Sequence, residues 1–237
     1  MSSTFTESGE CDDEITLVFD NSNKLYASKN FLRYASPVFK VMFDHDWQET
    51  KENRVSLPGK KYDDFLEFLL CVHPRILKPI TEKNVLRLVK IADEYQVTSI
   101  INKCKEVMMV LLENPIKQPN PNGCHYLHQA VWLRPCLRIV AKAHELGYDA
   151  VVKYAVKSIA KFGHILYNEG NTDPSAQDGS AYFGEPNPFY KEGDESLSDI
   201  MKDCMNMFKN LSFEIKYKIL AERLLRYDGK SCLKYLM

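Results

Sequence analysis

The sequence predicts an α+β unit followed by an all-helical region, on three observations. Short β-rich runs alternate with turn residues before residue 58. Apolar residues recur at helical spacing from residue 62 onward. One long segment late in the chain carries neither pattern. With 237 residues, 45% of them hydrophobic and 27% charged, a sizeable core is available and global disorder is excluded.

Residues 1–12 are polar and acidic and read as a disordered tail. Ile15 to Phe19 (ITLVF) is the first predicted strand, Asp20 to Asn23 (DNSN) is turn chemistry, and Lys24 to Ala27 is the returning strand of a hairpin. Two short helices follow, Ser28 to Ala35 and Pro37 to Phe43. Ser36 is a good N-cap and Pro37 takes the first helical position, where a missing N–H costs nothing. Arg54 to Leu57 is the third strand, ended by Pro58-Gly59.

From Tyr62 the period lengthens. Tyr62, Phe65, Leu66, Leu69 and Val72 share one helix face, and so do Val85, Leu88, Val89, Ala92 and Tyr95 in a helix capped by Thr81. A third helix aligns Ile101, Cys104, Met108 and Leu111. The α+β unit is therefore bounded at 13–112, and four prolines between Glu113 and Pro135 predict an irregular, proline-rich connection over 113–132. The helical region, 133–237, resumes with Leu137 to Phe162. A weak repeat at an offset of 51 residues aligns Leu86-Arg87-Leu88-Val89 with Leu137-Arg138-Ile139-Val140, and Ala92 and Glu94 with Ala143 and Glu145. It predicts helical hairpins that bury each other's apolar faces. Residues 163–196 hold half of the ten glycines and three prolines and are expected to form a mobile acidic loop. Leu197, Ile200, Met201, Cys204, Met205 and Phe208 then form a broad apolar helix face, and Ser212 caps a last helix reaching about Arg226.

The net charge of −1 conceals two acidic segments. Residues 1–14 carry five acids and no base, and 166–196 carry seven acids and one base, leaving +10 on the rest. The basic residues form no dense stripe, which argues against nucleic acid. The longest apolar run, Val107 to Leu112, is far too short to span a membrane. Without a secretory start, the seven irregularly spaced cysteines read as reduced thiols of an intracellular protein, cytoplasmic or nuclear.

Catalytic patterns are absent. Gly229-Lys230-Ser231 lacks the earlier phosphate-loop glycine, since Leu224 stands in its place. Cys124, His125, His128, Cys136 and His144 are metal-ligand types without the paired spacing of a zinc site. Asp12-Asp13 and Asp63-Asp64 are adjacent, so neither pair faces itself across a substrate, and the latter suits a helix N-terminus. No nucleophile elbow or dinucleotide fingerprint occurs. No enzyme, cofactor or metal is expected.

Leu25 to Phe43, LYASKNFLRYASPVFKVMF, resembles the motif-bearing segment of a BTB (POZ) domain: a strand entering a basic residue, an apolar pair, Ser-Pro-x-Phe and a closing Met-Phe. The order of elements over Asp13 to Met109 is also similar, with Arg54-Val55-Ser56-Leu57 as the third strand and Phe65 to Leu70 and Asn84 to Cys104 in the closing helices. Within the family, Met42 to Val55 (MFDHDWQETKENRV) looks like the corresponding loop of MATH-BTB (speckle-type) adaptors. In cullin-binding members that loop carries an apolar residue, any residue, then glutamate, a place held here by Trp47-Gln48-Glu49. The resemblance implies a substrate adaptor for a cullin-3 ubiquitin ligase, with Met42, Phe43, Trp47 and Glu49 as cullin-contact candidates. It also implies a homodimer, with Phe31 and Leu32 as dimer-contact candidates. The family's basic pair before the first helix is Ser28-Lys29, and the apolar helix that precedes the first strand in many BTB dimers has no counterpart in residues 1–12, so a weaker dimer is expected. No stretch resembles a MATH domain, kelch repeats or zinc fingers; Leu137 to Phe162 is similar in position to BACK-like helices. The target protein stays unidentified. The alternative is a self-associating scaffold, transcriptional or cytoskeletal, without a ligase role.

Overall fold

The computed structural model describes residues 4–9, 11–44, 53–117, 126–162 and 196–234. The chain divides into two compact units, Met1–Val107 and Met108–Met237.

The first unit is built on a three-stranded sheet of order β2-β1-β3, with β1 at Glu14–Phe19, β2 at Lys24–Ser28 and β3 at Arg54–Leu57. The β1–β2 hairpin is antiparallel and pairs Leu17 with Leu25. β3 runs parallel to β1 and sets Val55 beside Leu17. A parallel return needs a crossover. Two helices begin it: α1, Lys29–Ala35, and α2, Pro37–Asp44. Ile15, Leu17, Leu25, Ala27, Val55 and Leu57 are buried at alternate positions, so one face of the sheet is the core face.

Three helices complete the unit: α3 at Tyr62–Val72, α4 at Val85–Glu94 and the start of α5 at Thr98–Lys117. Asp63 and Asp64 stand in the first turn of α3, where the helix dipole favours them. Tyr95 is the hub of an aromatic core: it stacks on Phe39 at 4.7 Å and meets Phe65 edge-on at 5.4 Å. Burial raises the Tyr95 hydroxyl's pKa well above its ordinary value, with a smaller push from Glu94.

Two expectations change here. Thr81 is not the cap of α4. Asn84 closes the turn instead: its Oδ1 accepts from the Thr81 N–H at 2.7 Å, and its Nδ2 donates to Glu67 and to the Pro79 carbonyl. Nor do residues 4–9 behave as a free tail. The Tyr26 N–H donates to the Phe5 carbonyl at 2.8 Å and the Phe5 ring is buried, because an aromatic side chain gains more from an apolar seat than its polar neighbours lose.

In the second unit, Met108 and Leu112 of α5 are fully buried. α6, Tyr126–Glu145, packs against α7, Asp149–Ile159, and against α8, Leu197–Asn210. α9, Phe213–Lys234, lies on α7 and on the 3-10 turn Ala160–Phe162 that follows it. Both ends of the expected irregular connection, 113–132, are helical instead. α5 continues to Lys117, and α6 begins at Tyr126 and runs through Pro135. Proline removes one helical hydrogen bond, but Ala130, Leu133, Cys136, Leu137 and Val140 are all buried, and that packing outweighs the local loss. Ser196 and Ser212 cap α8 and α9 through side-chain bonds from Asp199 N and Ile215 N. The acidic segment 163–195 lies outside the described residues.

Candidate interaction surfaces

The α1–α2 layer is fixed from beneath by two serines. Ser28 caps α1 by accepting from the Phe31 N–H at 3.2 Å, and its hydroxyl donates to Asp13 at 2.8 Å. The Asn30 N–H reaches the same carboxylate. Burial alone raises the Asp13 pKa, but these hydrogen bonds and the Lys29 charge together hold it below the usual carboxylate range. Ser36, 1% exposed, accepts from the Phe39 N–H at 3.2 Å and donates to the Tyr95 carbonyl at 2.6 Å. The α1–α2 corner is therefore tied directly to the aromatic hub.

On this layer the candidate residues part company. Leu32 is 1% exposed and Phe43 6%, the latter stacked on Phe39 at 5.7 Å. Both are core residues, because each falls on the helix face that meets the sheet and the aromatic hub. Met42 and Phe31, by contrast, are half-buried and keep part of their side chains at the surface. Trp47 and Glu49 lie outside the described residues. The segment that carries them begins and ends on anchored residues. Asp44, before it, pairs with Arg33 on α1. Asn53, after it, accepts from the Lys29 ammonium and gives its carbonyl to the Thr16 N–H.

Phe31 has company that sequence reasoning missed. Phe5 stacks on it at 5.8 Å, and His73 lies 5.6 Å from each ring. Tyr34, one turn after Phe31, is 95% exposed, and Val41, beside Met42, is 52% exposed. The signal for Tyr34 lay in its spacing: it follows Phe31 by three residues on a helix whose core position is Leu32. Phe5 gave only a weak signal, as the one aromatic residue of a polar stretch.

A further cluster holds α3 and α4 in place. Glu67, on α3, pairs with Lys78 at 2.8 Å and with Arg87 of α4 at 3.1 Å, and accepts from Asn84. Burial raises its pKa, but the Lys78 and Asn84 hydrogen bonds and the Lys78 and Arg87 charges prevail and hold it below the usual value. The thiols are set the other way. Burial pushes Cys71 up to about 11 and Cys104, Cys136 and Cys204 up to about 12, so they stay protonated at neutral pH. Cys71, Cys104, Cys136 and Cys204 are in no disulfide. Cys136 donates to the Trp132 carbonyl, whereas His144 is exposed and contacts the Ser212 hydroxyl at 3.3 Å. Cys124 and His125 lie outside the described residues. Among the described helices none is long and apolar enough to cross a membrane.

Residues 4–110 match the family described as the BTB/POZ domain. A stretch of 96 residues is 34% identical to the "BTB and MATH domain-containing protein 38" of Caenorhabditis elegans, covering 40% of this chain and 24% of that protein. The chain thus spans about a quarter of that relative's length.

Proposed function

We propose that this chain, whose residues 4–110 are a BTB/POZ domain and hence a protein–protein interaction module, is a non-enzymatic adaptor that tethers a target protein to a cullin-3 ubiquitin ligase. The supporting observation is the end of α2. Val41 and Met42 lie at the surface over the buried Phe39–Phe43 stack, immediately before the segment holding Trp47 and Glu49. An apolar residue with a rigid backing adds contact area with little ordering cost. A nearby glutamate adds orientation and specificity. The adaptor's work is proximity: it holds the target beside a ligase-bound ubiquitin donor, so that transfer becomes nearly unimolecular. A second copy joins through the α1 face, with Phe31 and Tyr34 as its contacts.

Titration of the purified chain with the cullin-3 N-terminal domain tests this. Saturable binding that weakens about tenfold or more in Met42→Ala supports it, since a central interface side chain costs at least that much. Absence of binding by the native chain rejects it.

A further inference from the structure

The last helix presents two apolar faces. Ile215 and Ile219 are fully buried where α9 meets α7 and the 3-10 turn. On the opposite side Phe213, Tyr217, Leu220 and Leu224 are 83%, 63%, 41% and 51% exposed. Their spacing of four, three and four residues keeps them within about 60° on a helix turning 100° per residue. Beside this stripe lies a groove of about 530 Å³ between α7 and α9, walled by Val152, Val156, Tyr217, Ala221 and Leu225. Its rim is charged. Lys153 and Lys157 stand one turn apart on α7, both exposed and neither in a hydrogen bond or ion pair among the described residues. Of the other charges lining the groove, Lys218 pairs with Glu214, Glu222 pairs with Arg226, and Asp149 stands one turn before Lys153 in the first turn of α7.

We propose that this groove seats an amphipathic helix of a partner protein, apolar on its inner face and carrying carboxylates one turn apart along the edge that meets Lys153 and Lys157. A soluble surface rarely leaves so long an apolar stripe uncovered. The spacing of the two free lysines matches the i, i+4 rise of a helix laid alongside α7. A second copy of α9 is disfavoured as occupant, because its own stripe is edged by Lys216 and Arg223, which would bring like charge onto the rim. The inference deepens the adaptor reading by giving the chemistry of the tethered target, yet it stands on side chains of the second unit alone.

The test uses the full chain and two fluorescein-labelled 16-residue helical peptides. Both carry leucines at positions 3, 7, 10 and 14; one has glutamates at the flanking positions and the other lysines. Fluorescence anisotropy should show the glutamate peptide binding about tenfold or more tighter, with the gap narrowing as salt rises. The Lys153→Glu, Lys157→Glu double variant, whose changes are both exposed and leave the melting curve in place, should reverse the preference. No binding of the glutamate peptide, or equal binding of the two peptides, overturns the proposal. So does a self-associated chain that Tyr217→Glu dissociates, which gives the stripe to a second copy. Cullin-3 binding measured on the same double variant should stay at the native level. If native cullin-3 binding is absent while the glutamate peptide binds as expected, only the adaptor reading fails.

Discussion

Trp47 stands one residue after Asp46 and two before Glu49, a setting that offers it little apolar company in sequence. As an interface anchor its truncation removes a large desolvated side chain, typically about 2 kcal/mol or more. Trp47→Ala should then lose roughly thirtyfold in cullin-3 affinity, with the melting curve moved by no more than about half a kcal/mol. A tryptophan folded onto the domain reverses the signature: stability falls by about 3 kcal/mol and affinity follows only indirectly. Glu49→Ala should weaken binding and leave folding unchanged. Calorimetric titration and thermal melting on the same two variants separate these outcomes. Ser36 is a residue-scale case of the opposite kind. Its hydroxyl serves the Phe39 N–H and the Tyr95 carbonyl at once, in a site 1% exposed. Ser36→Ala therefore leaves a buried carbonyl without its donor and should cost about 2 kcal/mol in urea unfolding, against about 1 kcal/mol or less for Ser212→Ala at an exposed cap. The capping half of Ser36's role is legible in Ser-Pro. The Tyr95 bond is not, because it joins positions 59 apart.

Glu67 ties residue chemistry to pH. Its folded pKa lies below its ordinary value, near 4.3 in peptides. The unfolded chain therefore takes up the proton first as pH falls. The stabilisation is fully present above that ordinary value and is lost as pH drops through the folded pKa below it. Unfolding free energy should decline below about pH 5, and Glu67→Gln should flatten that decline while costing about 1–2 kcal/mol at pH 7. An equally steep acid limb in the variant counts against Glu67 and leaves Asp13 as the group to change.

At the scale of elements, the repeat at an offset of 51 residues proves to be a repeat of hydrogen bonding. The Val97 N–H donates to Ala92 O at 2.8 Å and the Tyr148 N–H to Ala143 O at 2.8 Å. Thr98 N to Gln96 O and Asp149 N to Gly147 O match in the same way, at 3.0 and 3.1 Å. Cys104 and Met108 in one copy correspond to Ala155 and Ile159 in the other, all fully buried. The helix breaks at a left-handed residue in both: Gln96 at φ 54° and Gly147 at φ 69°. An ordinary side chain in that conformation costs about 1–2 kcal/mol, partly offset by the lower entropy of its unfolded chain. A Cβ on Gly147 meets nothing within 4 Å, so Gly147→Ala isolates the backbone effect and should cost about 1 kcal/mol. Gln96→Gly should be neutral or stabilising by a few tenths. Denaturant midpoints check both. A Gly147→Ala variant as stable as the native chain would mean that the second turn does not hold the conformation of the first. Periodicity exposed this pairing because its signal is local. It failed over the first half of α6, which precedes Pro135, where burial against α8, with Arg134 and Arg138 both reaching Asp203, decides the outcome.

Across the whole molecule, the α1 surface carries the case for self-association. Tyr34 is almost wholly exposed, Phe31 is half-buried, and Phe5 covers one side of the Phe31 ring. Phe5 holds this seat with its backbone at φ 73°, a strained conformation for a bulky residue that ring burial and the bond from Tyr26 offset. Part of the apolar surface that a second copy could use is thus already covered within one chain. A two-fold interface presents each contact twice. Tyr34→Asp therefore places a carboxylate on both sides of the same contact, and its effect on association is roughly doubled, while an exposed helix position changes folding by no more than about half a kcal/mol. Light scattering at tens of micromolar should find the native chain self-associated and Tyr34→Asp monomeric with an unchanged melting curve. Phe5→Ala should act in the other direction on association, because it uncovers the Phe31 ring, while lowering stability through the lost burial. A native chain that is monomeric at that concentration, or a Tyr34→Asp chain that remains associated, removes the α1 face from the assembly.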